Sequence, residues 1–417
     1  MASTIIPQLI YHLYNLCTGD KLQSYYRQLK RCNEEQLLFN NSKVQGYLRK
    51  WGFNEVLTVN PLMTKLDIKS RLSSVDPEKV KSWAFTGGSY GEPLRVPYSK
   101  SRSLIRTATF KYFNEIGGYS LGDPFVLIRA KSRHRLLKYM RNEEIFIPND
   151  ISEPKIKEFI EKLRSSRIKV LMGYPTVMYE LALFLTKFPE FRKGLHLQAL
   201  ISVSEPLEHF KRELIQEVFN CSFIDRYSNE EVGLIAQQKE FGGEYFVNRF
   251  GVVTEVVDAD TLLPVKEGEI GKVVVTDLCN DLIPVVRYDT GDLAMAHRYN
   301  RGQLISIKNI QGRVSEQIFA TNGNAISSLI LGPYIYKPLA KVGPVFQYQF
   351  AQVGSNQYEL RLKAEKGDLQ EEVLTDMHSN LTNVLGNDSI LEVVYLKDIK
   401  PQPSGKRPVF KNEYSLK

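Results

Sequence analysis

Cysteine is scarce in this chain. Cys17, Cys32, Cys221 and Cys279 stand far apart, with no Cys-x-x-Cys pair. That spacing argues against a disulfide framework and against structural zinc, and it suits a reducing cytoplasm. No run of roughly 18 apolar residues occurs, so no transmembrane helix is expected. Met1 to Asp20 has no basic stretch ahead of a long apolar one, so no secretory signal is expected either. The six histidines, His12, His134, His196, His209, His297 and His378, are scattered, and no Ser/His/Asp set is read from them. Internal repeats and low-complexity segments are missing. So are two familiar nucleotide signatures. No Gly-Lys-Ser or Gly-Lys-Thr closes a Walker loop, and Gly-x-Gly-x-x-Gly is absent.

What is present is ample for a globular protein. The 417 residues predict two or more domains, and a hydrophobic fraction of 43% is enough for a full core. The formal net charge of +8 favours anionic partners such as nucleotides, coenzyme A, nucleic acid or an acidic membrane face. Part of the excess lies in Arg129, Lys131, Arg133, Arg135, Lys138 and Arg141. No aromatic residue interleaves that run before Tyr139, which argues against single-stranded nucleic acid. Its plain reading is a solvated face. A second reading is a surface that steers an anionic acceptor.

The most informative stretch is Trp83-Ala84-Phe85-Thr86-Gly87-Gly88-Ser89-Tyr90-Gly91-Glu92-Pro93. Glycines let backbone N–H groups turn inward and approach a ligand closely. A concave row of such groups, with Thr and Ser hydroxyls added, is a phosphate cradle. An ordinary glycine turn between two strands has the same composition.

Around this stretch the chain alternates. Residues 1 to about 80 read as mostly helical, with Thr64 as an N-cap, and 100–116 read as a helix. Ser152 is placed to cap a helix with Ile156, Phe159, Ile160 and Leu163 on one face. Lys169 to Tyr174, Ala199 to Val203 and Phe223 to Tyr227 read as strands. Helices starting at Pro175 and carrying Phe210, Leu214, Ile215 and Val218 lie between them. Such alternation predicts an α/β fold with a mainly parallel, helix-covered sheet, whose ligands bind at the carboxyl ends of strands. From about 245 to 310 short strands predict a β-subdomain. Beyond it, a hairpin (Phe346 to Val353, Tyr358 to Ala364), a helix (Leu369 to Leu385) and a strand (Ile390 to Leu396) predict a small α+β tail. The expected division is an N-terminal domain of residues 1–314 and a mobile C-terminal domain of residues 315–417.

Four further stretches are candidates for chemistry, and each has a plain reading beside it: in turn, a core tyrosine with a solvated acidic turn, an ordinary Asp-Thr-Gly turn, a linker turn and a disordered basic tail. Asp225-Arg226-Tyr227-Ser228-Asn229-Glu230-Glu231 leaves an aromatic at a strand end, followed by carboxylates. An aromatic face stacks on a purine, and a carboxylate holds Mg²⁺ beside phosphates. Arg287-Tyr288-Asp289-Thr290-Gly291-Asp292 reads as an apolar strand ending in a tight acidic turn. An aspartate there accepts bonds from ribose hydroxyls. Gln311-Gly312-Arg313 sits at the domain boundary. Pro403-Ser404-Gly405-Lys406-Arg407 is a flexible loop tipped by a lysine.

In this order the stretches resemble the adenylate-forming superfamily of acyl- and aryl-CoA ligases. Within it they are most similar to the short branch of phenylacetate–CoA ligases and the capsular-polysaccharide biosynthesis proteins called CapK. Leu171-Met172-Gly173-Tyr174-Pro175-Thr176 and Ile201-Ser202-Val203-Ser204-Glu205-Pro206-Leu207 look like further stretches of that branch. The likeness runs over nearly the whole chain from about Pro61.

The resemblance implies roles. Thr86, Gly87, Gly88, Ser89 and Gly91 would hold the β- and γ-phosphates of ATP. Ser204, Glu205 and Pro206 would lie on the adenine side, and Tyr227 would stack on adenine. Glu231 would bind Mg²⁺, Asp292 and Arg313 would reach the ribose, and Lys406 would enter the site for adenylation. The partner is then a small carboxylic or amino acid. The acceptor is either coenzyme A or an amine or hydroxyl of a surface-polysaccharide precursor, with no specific nucleic acid. The chain departs from the family at Gly87, Tyr90, Leu94, Ser228 and at the hinge residue Ser315, and Arg95 follows Leu94 where a lysine is common. Those departures motivate an alternative of another class, a non-catalytic nucleotide- or polyanion-binding protein on a decayed ligase fold.

Overall fold

The computed structural model describes residues 5–35, 37, 39–85, 94–205, 207, 209–240, 242–311, 318–326, 328–342, 347–363, 369–401 and 407–414. The N-terminal segment folds into α1 (Ile5–Cys17), α2 (Lys21–Glu34), α3 (Asn41–Lys50) and α4 (Lys65–Arg71). Thr64 caps α4 as its position predicts. Its hydroxyl accepts the Asp67 N–H at 3.4 Å, while Asp67 Oδ2 accepts the Thr64 N–H at 2.7 Å. The reciprocal pair satisfies donors that a helix start leaves open. Next, β1 (Ser82–Phe85) pairs antiparallel with β2 (Arg95–Tyr98), Phe85 opposite Arg95. The glycine stretch therefore links two antiparallel strands. Its Thr86, Gly87, Gly88, Ser89 and Gly91 themselves lie outside the described residues.

Strand and helix then alternate through α5 (Lys100–Ile116), β3 (Phe125–Ile128), α6 (Arg135–Arg141), β4 (Glu143–Phe146) and α7 (Glu153–Ser165). The series continues with β5 (Val170–Gly173), α8 (Pro175–Lys187), β6 (Ala199–Val203), α9 (His209–Phe219) and β7 (Ser222–Asn229). On α7, Ile156, Phe159, Ile160 and Leu163 are all buried, as their spacing requires. Ser152 stands at the N-cap of α7, but its side chain makes no capping bond. Pro154 in the first turn brings no N–H of its own. The Ser152 N–H is held instead by Asp150 Oδ1 at 2.8 Å.

After β7 the chain turns back on itself as β8 (Gly233–Gln238), β9 (Tyr245–Val247), β10 (Val252–Val257), β11 (Ile270–Asp277), β12 (Tyr288–Asn300) and β13 (Gln303–Gln311). All these strands share one 11-stranded sheet of order β10-β11-β12-β13-β9-β8-β7-β6-β5-β3-β4. From β4 to β7 every pairing is parallel. From β7 to β10 every pairing is antiparallel. The β-rich segment expected between about 245 and 310 thus continues the parallel sheet through β8 and β9. The parallel strands are apolar runs because helices cover them. Val170, Leu171, Ala199, Leu200 and Ile201 are fully buried.

Gly173 closes β5 with φ +148°, and a Cβ added there would stand 2.5 Å from Ile128 Cβ and 2.7 Å from Ile128 O. Backbone cannot yield as a flexible side chain does. Gly173→Ala is therefore expected to cost about 2–3 kcal/mol, read as a lower urea midpoint with unchanged slope.

The tail comprises β14 (Ile318–Phe319), β15 (Ala325–Ile326), α10 (Ser328–Val342), β16 (Tyr348–Gln352), β17 (Gln357–Lys363), α11 (Glu371–Leu385), β18 (Ile390–Leu396) and β19 (Phe410–Asn412). β16 and β17 form the predicted hairpin, flanked in parallel by β19 and β18. Helices α10 and α11 cover this sheet, and Phe350, Leu360, Leu381 and Leu385 belong to a core of its own.

Candidate functional site

The carboxyl ends of β5, β6 and β7 bring Tyr174, Ser204 and Tyr227 to one edge of the parallel sheet. The chain leaves β6 through Ser204, whose φ of +74° is rare for a residue with a Cβ. Glu205 follows. Its Oε2 accepts the Thr176 hydroxyl at 2.6 Å and the Thr176 N–H at 3.3 Å, in the first turn of α8. A carboxylate there faces the positive end of the helix. Burial first, and the charge of Glu205 second, push the Tyr174 hydroxyl above its ordinary pKa.

Tyr227 and Asp292 meet across 65 residues of chain, Tyr227 Oη donating to Asp292 Oδ2 at 2.6 Å. The same hydroxyl lies 3.1 Å from Thr290 Oγ1. The acidic turn does not end an apolar strand, as the sequence suggests. Tyr288 begins β12, and no strand directly precedes it. The register against β11 shifts between Lys272 and Val274, so residues 290–292 form a bulge. Gly291 supplies a φ of +78°, Asp289 Oδ1 accepts the Gly291 N–H at 2.9 Å, and Thr290 Oγ1 accepts the Asp292 N–H at 3.2 Å. Bulges re-aim side chains, and this one directs Asp292 towards Tyr227. Arg287, just before it, is a structural staple. Its guanidinium donates to Thr58 O and Asn60 O at 2.8 Å and to Leu262 O at 2.6 Å.

Glu231 occupies the turn between β7 and β8 and is buried, Tyr288 Oη donating to its Oε1 at 3.0 Å. Sequence reasoning missed what holds this turn. Arg102 on α5 donates through Nη2 to Glu231 O at 2.5 Å and to Asp277 Oδ2 at 2.7 Å. Tyr98, at the end of β2, donates to Glu230 O at 3.2 Å. The hairpin that carries the glycine stretch is thereby tied to the turn that carries Glu231. Leu94, which departs from the family pattern, is buried in the core, while the neighbouring Arg95 is exposed and lies over the Trp83 ring at 4.7 Å. Among the described residues no cluster of His, Cys, Asp and Glu is suited to a metal ion.

The tail reaches the same edge. The Arg407 N–H donates to Glu205 Oε1 at 3.1 Å across 202 residues. Its buried guanidinium donates to Pro148 O at 2.9 Å and to Ile399 O at 3.1 Å. A cavity beside it is lined by Thr176, Glu180 and Lys211 from the main domain and by Gln347, Tyr348 and Ile399 from the tail. Burial pushes the Glu180 carboxyl up, against the opposing charges of Lys363, Arg407 and Lys211. A basic loop gives no sign that one arginine will be buried, so Arg407 was legible only as a neighbour of Lys406. Lys406, Pro206, Arg313 and Ser315 lie outside the described residues.

The basic run of α6 and its approach is partly neutralised. Arg133 Nη1 lies 2.5 Å and Arg141 Nη1 3.9 Å from the buried Glu143, and Lys138 lies 4.0 Å from Glu144. Lys131 and Arg135 are exposed, without an ion pair among the described residues.

No family model matches the sequence. A curated relative, Protein CapK of Staphylococcus aureus, is 22% identical over 92% of this chain and 91% of its own. Among solved structures, 2-hydroxyisobutyryl-CoA ligase in the postadenylation state with 2-HIB-AMP superposes with a TM-score of 0.64 at 14% identity, over 94% of this chain and 88% of that one. The same enzyme with 2-HIB-AMP and CoA in the thioesterification state gives 0.54 at 15% identity, over 95% and 90%. The amide bond synthetase McbA of Marinactinospora thermotolerans gives 0.53 at 15% identity, over 79% and 67%. The fold is that of the adenylate-forming ligases.

Proposed function

We propose that this chain activates a small carboxylic or amino acid with Mg·ATP, forming an acyl-adenylate, and then hands the acyl group to an acceptor. The observation that carries this reading is convergence. Tyr227 with the Glu231 turn that follows it, Asp292, and Arg407, the residue next to Lys406, come from three distant parts of the chain and gather at the carboxyl edge of one sheet. Crevices at that edge are where open α/β sheets bind ligands.

In the first step the substrate carboxylate attacks the α-phosphate, and the bond to pyrophosphate breaks. The reaction asks for positioning and for neutralisation of spread charge more than for covalent help. The Tyr227 ring offers a face for adenine and Asp292 offers acceptors for the ribose, which Arg313 would also reach. Backbone N–H groups and hydroxyls of Thr86 to Gly91 would cradle the β- and γ-phosphates. Glu231, held by Tyr288, is a hard oxygen donor of the kind Mg²⁺ takes beside phosphates. The metal would offset phosphate charge as pyrophosphate leaves. Ser204, Glu205 and Pro206 flank the adenine side, and Lys406 is the cation delivered by the tail. The tail, residues 315–417, would swing about the segment near Ser315 between the two steps.

For the acceptor, the CapK likeness favours an amine or hydroxyl of a surface-polysaccharide precursor. The second reading is coenzyme A, favoured by the CoA-bound neighbour. A pyrophosphate-release screen over carboxylic and amino acids tests the first step. Repeating the productive acid with CoA, amino sugars and amines separates the acceptors. Absence of acid-dependent release, with ATP or polyanions still raising the melting temperature, would mark a binding protein on this fold instead.

The nucleotide assignments have a direct check by titration calorimetry. Asp292→Ala is expected to weaken ATP binding about ten- to a hundredfold, the worth of bonds to a charged group. Tyr227→Phe keeps the ring and is expected to stay within a few-fold of wild type, whereas Tyr227→Ala loses the stacking face. Equal affinity in wild type and Asp292→Ala would sink the ribose assignment.

A further inference from the structure

Helix α1 is built the wrong way round for a helix that faces water. It contains no Asp, Glu, Lys or Arg. Pro7, Tyr11 and Asn15 are buried on one face. Opposite them, Ile5, Leu9, Leu13 and Leu16 recur at helical spacing, and they are 66%, 54%, 52% and 66% exposed. Four large aliphatic side chains thus line the solvent side of a rod about 20 Å long. The neighbouring α6 adds more of the same. Leu136, Leu137 and Tyr139 are exposed there, and α6 lies against α1. Gln8 donates to Leu121 O at 3.0 Å, so α1 is seated beside the loop that leads into β3.

Cations predominate around this apolar face, with Asp20, which accepts from Asn15 Nδ2 at 2.6 Å, as the acid beside Lys21. Lys131 and Arg135 are exposed at the α6 side, and Lys21 and Lys81 are exposed at the far end of α1. Lys81 Nζ donates to Tyr14 Oη at 2.6 Å, which fixes it to the helix.

We propose that this face docks the protein on the surface of an anionic phospholipid bilayer, with α1 lying in the plane of the interface. Apolar stripes flanked by lysine and arginine bind in that way, burying the stripe among headgroups while the cations meet anionic lipid. The basic frame also disfavours a second copy of this chain as the occupant. A two-fold contact sets the same patch against itself, and here that would oppose like charges. Among the described residues no helix is long and apolar enough to cross a membrane, so the contact is with one face of the bilayer. The inference is independent of the adenylation reading.

The test is flotation of the full chain with vesicles of phosphatidylcholine alone and of phosphatidylcholine mixed with phosphatidylglycerol. Wild type is expected to float with the mixed vesicles and far less with the neutral ones. The double variant Leu9→Glu, Leu13→Glu should lose at least about tenfold in bound fraction. It should keep its melting temperature, because both side chains already face water. Lys131→Glu with Arg135→Glu should weaken binding and flatten its salt dependence. No flotation of wild type, or equal flotation of wild type and both variants, overturns the proposal. So does a wild-type dimer that the leucine variant turns into a monomer, since the face would then be a contact between copies.

Discussion

Lys406→Ala is expected to lower acid-dependent pyrophosphate release on the order of a hundredfold or more, the usual cost of losing one preorganised charge donor. The fold and ATP binding should stay nearly intact. The argument starts from distance along the chain. Lys406 follows the main domain by most of the tail, yet its neighbour Arg407 donates its N–H to Glu205 and buries its guanidinium against Pro148. That anchor holds Arg407 beside Glu205, which in turn accepts the Thr176 hydroxyl. Under the proposed function, the Lys406 ammonium would meet charge moving from the attacking carboxylate to the α-phosphate. An interaction made mainly in the transition state lowers the barrier without tightening the ground state. The second step, started from chemically made acyl-AMP, should be spared, because the tail would then take another position. Arg407→Ala should mimic the loss in part by loosening the anchor. Full adenylation in Lys406→Ala would leave the tail without its assigned role.

Arg102→Met should produce the largest loss of stability, about 3–5 kcal/mol, the cost of breaking a buried ion pair from one side. Arg102 and Asp277 are 3% and 2% exposed and lie 2.7 Å apart. The arginine also donates to Pro97 O at 3.0 Å and to Glu231 O at 2.5 Å. Removing it strands the Asp277 carboxylate and frees the turn that carries Glu231. Burial already pushes the Asp277 carboxyl up, and Arg102 opposes that rise. Without Arg102 it rises further, so the variant binds an extra proton when folded. A group raised in the folded state contributes stability below its unfolded pKa and loses it as pH climbs through the folded value. The deficit of Arg102→Met should therefore shrink as pH falls towards the carboxylate range. The double variant Arg102→Met, Asp277→Leu should recover part of the loss. Urea unfolding of the three proteins at neutral and acidic pH gives both readouts. A single-variant loss below about 1 kcal/mol would mean that the pair is not the pin described.

Hydrophobic period and capping chemistry made much of the fold legible. Val170 to Gly173 is a continuous apolar run, and Ala199 to Val203 is apolar at all but Ser202, because both faces of a parallel sheet are covered. Ile156, Phe159, Ile160 and Leu163 repeat as one face of a helix must. Thr64 and Asp67 are a cap written in four residues. The tail hairpin shows for the same local reason. Candidate residues such as Tyr227, Glu231 and Asp292 were legible through the order of their motifs and the resemblance that order carries.

Other features depend on contacts between distant residues, and no local pattern announces those. Motif order marked Tyr227 and Asp292 as candidates, but only the sheet brought the hydroxyl within 2.6 Å of the carboxylate. The bulge that aims Asp292 exists because β12 must stay paired to β11 across a shift in register. No local pattern marks Arg102, Arg287 and Arg407 as buried, since burial is a property of what packs around a residue. The basic run looked uniformly cationic until folding set Glu143 and Glu144 against part of it. Composition determined that α1 is a chargeless, apolar helix. Which of its faces meets the core and which meets solvent was decided by tertiary packing, which buries Asn15 and leaves Ile5, Leu9, Leu13 and Leu16 exposed, the reverse of what polarity alone assigns.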